Sequence, residues 1–321
     1  VSVFGINDLD KAVEVAKKTI EGEIIQIVNE LEKRSQNEKN RIYKEKLRLL
    51  TNDNKLDTIH AIIPINEGCL NKCTFCKTKY ARGDLFSYSI ENIKKCMQKA
   101  IDSGAKEVYL TSQDTACYGF DIGTNLPNLL RELLKIEGDY RIRIGMGNPN
   151  HFIRIIDETL DLMKSDDRIY KFLHVPVQSG SNRILKEMRR LYTKEDFLEI
   201  IRKAREKIPY ITIANDLIVA YPTETREEFE ETLEVLKQSK TNVLNFSRFW
   251  LRPNTPAENL YTKKDYIPGL ESKNRSKKIK EEFEKLAYEQ NKEWIGWVGE
   301  VLITERGKRG TNSMVSRNDY Y

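Results

Sequence analysis

Long apolar runs are missing from this sequence. None of its 321 residues falls in a stretch near the roughly 18 apolar positions that a membrane-spanning helix requires, and mean hydropathy is -0.59, so an integral membrane protein is excluded. Cysteine is scarce: five residues in 37.5 kDa build no disulfide framework, and three of them crowd into one segment. A reducing, cytoplasmic compartment and a metal site are the expectation. Charge of one sign is also scarce. The 54 basic and 49 acidic residues leave +5, which does not by itself mark a nucleic-acid-binding protein but leaves such a partner open. No secretory leader, internal repeat or low-complexity tract is visible, and the chain is expected to be a piece cut at both ends. What remains, 39% hydrophobic and 32% charged, excludes wholesale disorder. At about 150 residues per domain it suits two domains, or one large domain with appendages.

Four segments are expected. Residues 1–31 read as a helix, Asp8 to Ile20, and a β-branched run, Ile24 to Val28, too little to bury a core and therefore the remnant of an α/β domain. Residues 32–56 form a linker; Lys33 to Arg48 holds seven basic and two acidic residues, either a solvated loop or an RNA-facing strip. From 57 to 270, short β-rich runs alternate with helical stretches. The predicted strands are Ile59–Ile65, Glu107–Thr111, Arg141–Met146, Phe172–Val177, Tyr210–Val219 and Asn242–Phe249. Each crossover returns the chain in the same direction, so the sheet is predicted parallel. Six β/α units are too few for an ordinary closed barrel, which points to an open, partial one with its site at the C-terminal strand ends. Residues 271–321 read as a long charged helix, Trp294 and Trp297 as core packing, a strand Val298–Thr304, and a basic turn with Arg306, Lys308 and Arg309, the start of a small β-barrel.

The loop after the first strand contains Cys69, Cys73 and Cys76, a C-x3-C-x2-C pattern. Three thiolates at this spacing can hold three irons of a 4Fe–4S cube and leave the fourth iron open to an outside ligand. Zinc would need a fourth protein ligand, and no histidine follows nearby; His60 lies on the strand itself. A zinc knuckle and a chance group of free cysteines are the competing readings, and the cluster is favoured.

This pattern, with aromatic Phe75 just before the last cysteine and a six-unit β/α chain around it, resembles the radical S-adenosylmethionine (SAM) superfamily. The resemblance implies an α/β fold with a partial (β/α)6 barrel, in which the open iron chelates SAM and an electron from the reduced cluster yields a 5′-deoxyadenosyl radical. It narrows with the blocks Leu110–Thr115, His174–Ser181, Met188–Thr193, Asn215–Thr225 and Ser247–Ala257, which are similar to the methylthiotransferases and most of all to the branch acting on threonylcarbamoyladenosine in tRNA. As implied cofactor contacts, Phe75 would lie against SAM, and Gln113 and Asp114 would meet the SAM ammonium, unless they only cap a helix. Gln178 and Ser179 would bond ribose hydroxyls, unless they form an exposed turn. Asp216, in an apolar strand, needs either a structural partner or the cofactor. Arg189 and Arg190 would meet the SAM carboxylate or RNA phosphate, unless they are a solvated helix end; Arg189 is taken as the cofactor contact. No general acid, base or nucleophile is assigned.

Such methylthiotransferases resemble one another in three parts: an N-terminal domain with an auxiliary 4Fe–4S cluster that carries the transferred sulfur, the radical core, and a C-terminal TRAM β-barrel for RNA. Here no cysteine precedes Cys69, and neither Cys96 nor Cys117 has the spacing to supply a second cluster. The expected activity is methylthiolation at carbon-2 of threonylcarbamoyladenosine next to the anticodon, by a monomer with tRNA and an electron donor as partners. The alternatives are a radical SAM enzyme for another substrate, such as the isopentenyl-type base, and a non-catalytic iron–sulfur RNA-binding protein.

Overall fold

Val, Ile and Leu recur in six short runs because each run gives a parallel strand one face to pack against the crossover helices, while the other face stays more open. The computed structural model, which describes residues 2–4, 11–27 and 59–321, turns each run into a strand. Two short parallel strands, β1 (Val3–Phe4) and β2 (Gln26–Ile27), flank helix α1 (Ala12–Ile20). The basic stretch Lys33–Arg48 and the predicted start of the first helix at Asp8 lie outside the described residues.

The main body uses β3 (His60–Pro64), β6 (Glu107–Thr111), β7 (Arg141–Ile144), β8 (Phe172–His174), β9 (Thr212–Val219) and β10 (Val243–Arg248) in sequence order, all parallel. Continuous backbone ladders group them as two three-stranded sheets, β3-β6-β7 and β8-β9-β10. An Ile142–Ile169 bridge and the Gly147 N–H donating to His174 O (3.1 Å) join the two into one arc. Among the described residues β3 and β10 do not pair with each other, so the barrel stays open. A tiny antiparallel ladder of β4 (Asn66–Glu67) and β5 (Phe86–Ser87), absent from the predicted strands, brackets the cysteine loop.

Helices α3 (Ile90–Asp102), α4 (Leu126–Leu133), α5 (Pro149–Phe152) with α6 (Ile156–Ser165), α8 (Lys194–Lys207) and α9 (Arg226–Ser239) make the crossovers. Their starts follow local chemistry: Ser89 and Asn125 accept from the backbone N–H three residues on, and Thr193 and Thr225 form capping boxes with Asp196 and Glu228. Short helices α2 (Thr78–Arg82), α7 (Asn182–Glu187) and α10 (Pro256–Leu260) carry no clear sequence period; they lie in the loops at the site end. The long α11 (Gly269–Lys292) then leads to an antiparallel hairpin, β11 (Leu302–Arg306) and β12 (Met314–Arg317). Its first strand starts four residues later than the predicted Val298, which is 94% exposed; Gly299 lies close against the Trp297 ring. Trp294 packs on Tyr210, Tyr320 and Trp297, so it does serve packing, while Trp297 remains partly exposed.

Glu228 connects the cap of α9 to α7. Its carboxylate accepts from Arg183 Nε and Nη2 (2.6 Å each), Ser181 Oγ (3.0 Å) and Thr225 N (2.8 Å). Burial alone would push this carboxyl up, but the bonds from Arg183, Thr225 and Ser181 outweigh it and hold it at about 2. A carboxyl depressed on folding stabilises above its unfolded value of about 4.3 and loses that contribution as pH falls through the folded value. Glu228→Gln should therefore lower stability by about 1–3 kcal/mol at pH 7. In urea titrations the gap to wild type should narrow as pH falls from about 4.3 toward 3; a constant gap contradicts this account.

Candidate active site around the cysteine loop

The cysteine loop is held from every side by backbone bonds. Gly68 starts it at φ 70°, and a Cβ there would lie 2.0 Å from Asp84 O, so only glycine fits beneath the returning chain. Cys69 N–H donates to Gly83 O (3.3 Å) and Thr74 N–H to Met188 O (3.1 Å), while Ala257 N–H donates to Thr74 O (3.0 Å). The Thr74 and Tyr221 hydroxyls bond at 2.6 Å, and Lys77 Nζ donates to Pro253 O (2.8 Å). The loops after β3, β9 and β10 are thus tied into one unit.

All three thiols line a single cavity of about 230 Å³ at the C-terminal strand ends, together with Phe75, Gln113, Met146, Asn148, Gln178 and Arg190. Arg190 directs its guanidinium inward: Nη1 donates to Cys73 Sγ (3.1 Å), Nε to Tyr192 Oη (2.9 Å) and Nη2 to Pro176 O (3.4 Å). This cation offsets negative charge gathered by deprotonated cysteines. Burial pushes the Cys69 thiol up to about 12, helped by Asp114 and the two neighbouring cysteines and opposed by the Asn71 N–H bond. Metal binding at such a thiol must displace its proton.

Of the residues expected to hold SAM, Phe75, Gln113 and Gln178 are brought to this cavity. Phe75 packs against Ile184, Met188 and Tyr221. Gln113 Oε1 accepts from Gly68 N (2.8 Å), and Gln178 stands at φ 71° with its backbone paired to Asp216 O and Ile218 N. The other four expected contacts stand outside the lining. Asp114 is fully buried, and its carboxylate accepts from Ala116 N (3.2 Å), Asn148 N (3.0 Å), Asn148 Nδ2 (3.2 Å) and His151 Nδ1 (2.7 Å); it caps a short 3-10 turn, Thr115–Cys117, as the capping alternative had it. Ser179 is fully buried behind the wall, its Oγ accepting from Ser181 N (3.2 Å), so Ser-Gly-Ser is no exposed turn. Arg189 faces out of the cavity, whereas its neighbour Arg190 faces in. Asp216 lies outside the lining: it accepts from His174 Nε2 and Asn245 Nδ2 (3.0 Å each). Burial would raise its carboxyl, but these bonds and Arg190 hold it below the ordinary range.

Asn148 and Met146 are not marked by the sequence, since Gly145-Met146-Gly147-Asn148 offers no charged or periodic signal. Their position after the third strand is the available clue. Gly147 is required there, as a Cβ would meet Phe152 at 2.3 Å and Ala116 at 2.7 Å. Cys96 is half-buried against the core, and Cys117 is buried and donates to Asp114 O (3.2 Å). The ligand atoms of Asp114, Cys117 and His151 lie within 4.8 Å of one another, but the Asp114 carboxylate is already saturated by its four donors.

The cavity suits a cluster and a polar cofactor. Its three thiols line one wall, and buried Asn148 Oδ1 on its wall has no hydrogen-bond partner among the described residues, an acceptor left open for a ligand's donor. A parallel six-strand arc with three thiols in the loop after its first strand defines the radical SAM superfamily, whose profile matches residues 63–236. An Escherichia coli coproporphyrinogen III oxidase, described as a radical SAM enzyme, shares the fold at TM-score 0.53 and 15% identity, covering 79% of this chain and 57% of that one. A probable threonylcarbamoyladenosine tRNA methylthiotransferase of Pyrococcus horikoshii is 40% identical over 99% of this chain and 71% of its own length. The human threonylcarbamoyladenosine tRNA methylthiotransferase is 36% identical over 100% of this chain and 53% of its own. The chain belongs to this methylthiotransferase family.

Replacing Cys69, Cys73 and Cys76 together by Ala should abolish iron and sulfide incorporation under anaerobic reconstitution, while Cys117→Ala should leave both unchanged. Arg190→Gln should retain iron but shift the cluster's reduction potential negative by something on the order of tens of millivolts, because the cation that favours the more negative reduced state is gone. An EPR-monitored redox titration reads the shift; an unchanged or more positive potential refutes the role given to Arg190.

Proposed function

We propose that this chain methylthiolates carbon-2 of N6-threonylcarbamoyladenosine next to the anticodon of tRNA. The observation that carries the reading is a three-thiol cavity at the strand ends of a chain that is 40% identical to a relative named for that reaction and spans 71% of that relative's length. Cys69, Cys73 and Cys76 would hold the 4Fe–4S cluster. Bound cluster and SAM supply reductive cleavage of a sulfonium, the one-electron chemistry an unactivated aromatic C–H demands. Arg190 would balance the thiolate charge, with Gln113 shaping the Gly68 turn. Phe75, Gln178 and Asn148 would flank SAM, and the apolar wall would exclude water. Arg306 at the end of β11, with Lys308 and Arg309 on the connection to β12, would meet RNA phosphate, and an external reductant would supply the electron.

Transfer of sulfur needs a donor. The auxiliary cluster implied by the family resemblance finds no second three-cysteine set in this sequence, which contains only Cys96 and Cys117 besides the loop. These 321 residues, reduced and cluster-loaded, should therefore cleave SAM to 5′-deoxyadenosine without forming methylthiolated nucleoside. Mass spectrometry of both products is the test, and methylthiolated base made by this stretch alone would overturn the argument. In the longest natural form of the protein, tRNA with the threonylcarbamoyl base should react and tRNA with the isopentenyl-type base should not. The reverse preference would assign the chain a different substrate.

A further inference from the structure

Beside the thiol cavity lies a second one of about 220 Å³, lined by Lys72, Lys79, Tyr80, Asp84 and Arg189, and Cys73 and Lys79 contribute to the walls of both. Lys79 is committed: its ammonium bonds Asp84 and Cys69 O. Lys72 and Arg189 have no side-chain hydrogen bond or ion pair among the described residues. Two exposed, uncommitted cations therefore line a cavity whose one carboxylate, Asp84, is already neutralised, and Arg189 also borders a wider cleft beside Glu187.

The backbone at Arg189 shows that this orientation is built. Helix α7 ends in a Schellman motif, with Arg189 N–H donating to Lys186 O (2.9 Å) and Arg190 N–H to Leu185 O (2.8 Å). This places Arg189 at φ 56°, where glycine is the least strained residue. The left-handed turn sends Arg190 to Cys73 and leaves Arg189 in the adjacent cavity. An arginine held at a glycine-favouring position puts a planar two-donor fork there, the shape that grips a carboxylate by two parallel bonds.

We propose that Lys72 and Arg189 form an anion subsite that binds the threonine carboxylate of the threonylcarbamoyl base; this rests on the function proposed above. The carboxylate is ionised at neutral pH, hangs several bonds from the reacting carbon and is absent from an isopentenyl-type base. Reacting carbon and carboxylate thus need neighbouring cavities rather than one, and the two that share Cys73 and Lys79 provide them. Arg189 and Lys72 would then set specificity without touching the reacting atoms.

The test uses cluster-loaded protein and synthetic anticodon stem-loops carrying the threonylcarbamoyl base, its methyl ester, or plain adenosine. Wild type should bind the acid about 10- to 100-fold more tightly than the ester, as expected for losing a charge-assisted pair. Arg189→Gln and Lys72→Gln should each reduce that ratio at least several-fold while binding the plain stem-loop as wild type does. Equal weakening on all three RNAs would assign the cations to backbone phosphate and overturn the proposal, as would variants that keep the full ratio or a wild type with no ratio at all. Loss of RNA-free SAM cleavage in Arg189→Gln would return Arg189 to the SAM site and also overturn it. If wild type discriminates acid from ester but the longest natural form methylthiolates neither base, the proposed reaction fails and the subsite stands.

Discussion

A carboxylate sealed from water organises the site end of the barrel. Asp114 has no exposed surface, so an ionised side chain there must be matched by donors or it would cost several kcal/mol. It finds four: its own turn supplies Ala116 N, and the loop after the next strand supplies both nitrogens of Asn148 and the His151 ring. His151 Nδ1 lies 2.7 Å from the carboxylate, so a single proton bridges this pair. The consequence is a cross-link between the loops after β6 and β7. Gln113 precedes the linked aspartate and Asn148 follows Gly147, so both cavity-lining residues inherit their positions from a group that itself never reaches the cavity.

The opposite wall is fixed by another means. The loops after β9 and β10 press Tyr221, Phe249 and Tyr261 together, with centroids 5.0 and 5.5 Å apart in edge-on pairs, and that aromatic group takes Phe75 into its packing. Glu187 ties it to α7 by accepting from Tyr261 Oη (2.8 Å) and Thr223 Oγ (3.0 Å). Polar linkage on one side and aromatic packing on the other leave the cysteine loop few ways to rearrange, which suits a site that must hold a cofactor in one orientation.

The fold was legible because period and spacing are local properties. Six β-branched runs announce themselves, and the three cysteines need only their spacing to be grouped. What could not be read was direction. Asp114 and Gln113 are neighbours of similar polarity, and only the approach of the next loop decides that one is buried while the other faces the cavity. Ser179 vanished from the surface because Gly180 lets the chain pack against Thr232, a tertiary contact with no sequence period. Arg189 and Arg190 look interchangeable until a left-handed residue separates them. The two-residue ladder of β4 and β5 is too short to carry any alternation.

The far end of the barrel has a consequence for taking the molecule apart. Glu107, fully buried on β6, accepts from Tyr109 Oη (2.8 Å), bonds Tyr170 Oη, and has His60 Nδ1 at 2.7 Å and Arg317 of the terminal hairpin at 3.5 Å. Tyr321 lies on Phe172 at 4.6 Å between centroids, with the Arg143 guanidinium 4.5 Å from the Phe172 ring and 5.0 Å from that of Tyr321. The floor of the core is thus finished by residues that lie beyond α11. A cut at the sequence junction near residue 270 would look like a clean excision of the catalytic unit, yet it would strip a cation and an aromatic lid from a buried acid. Autonomy along the chain and autonomy in space part company here.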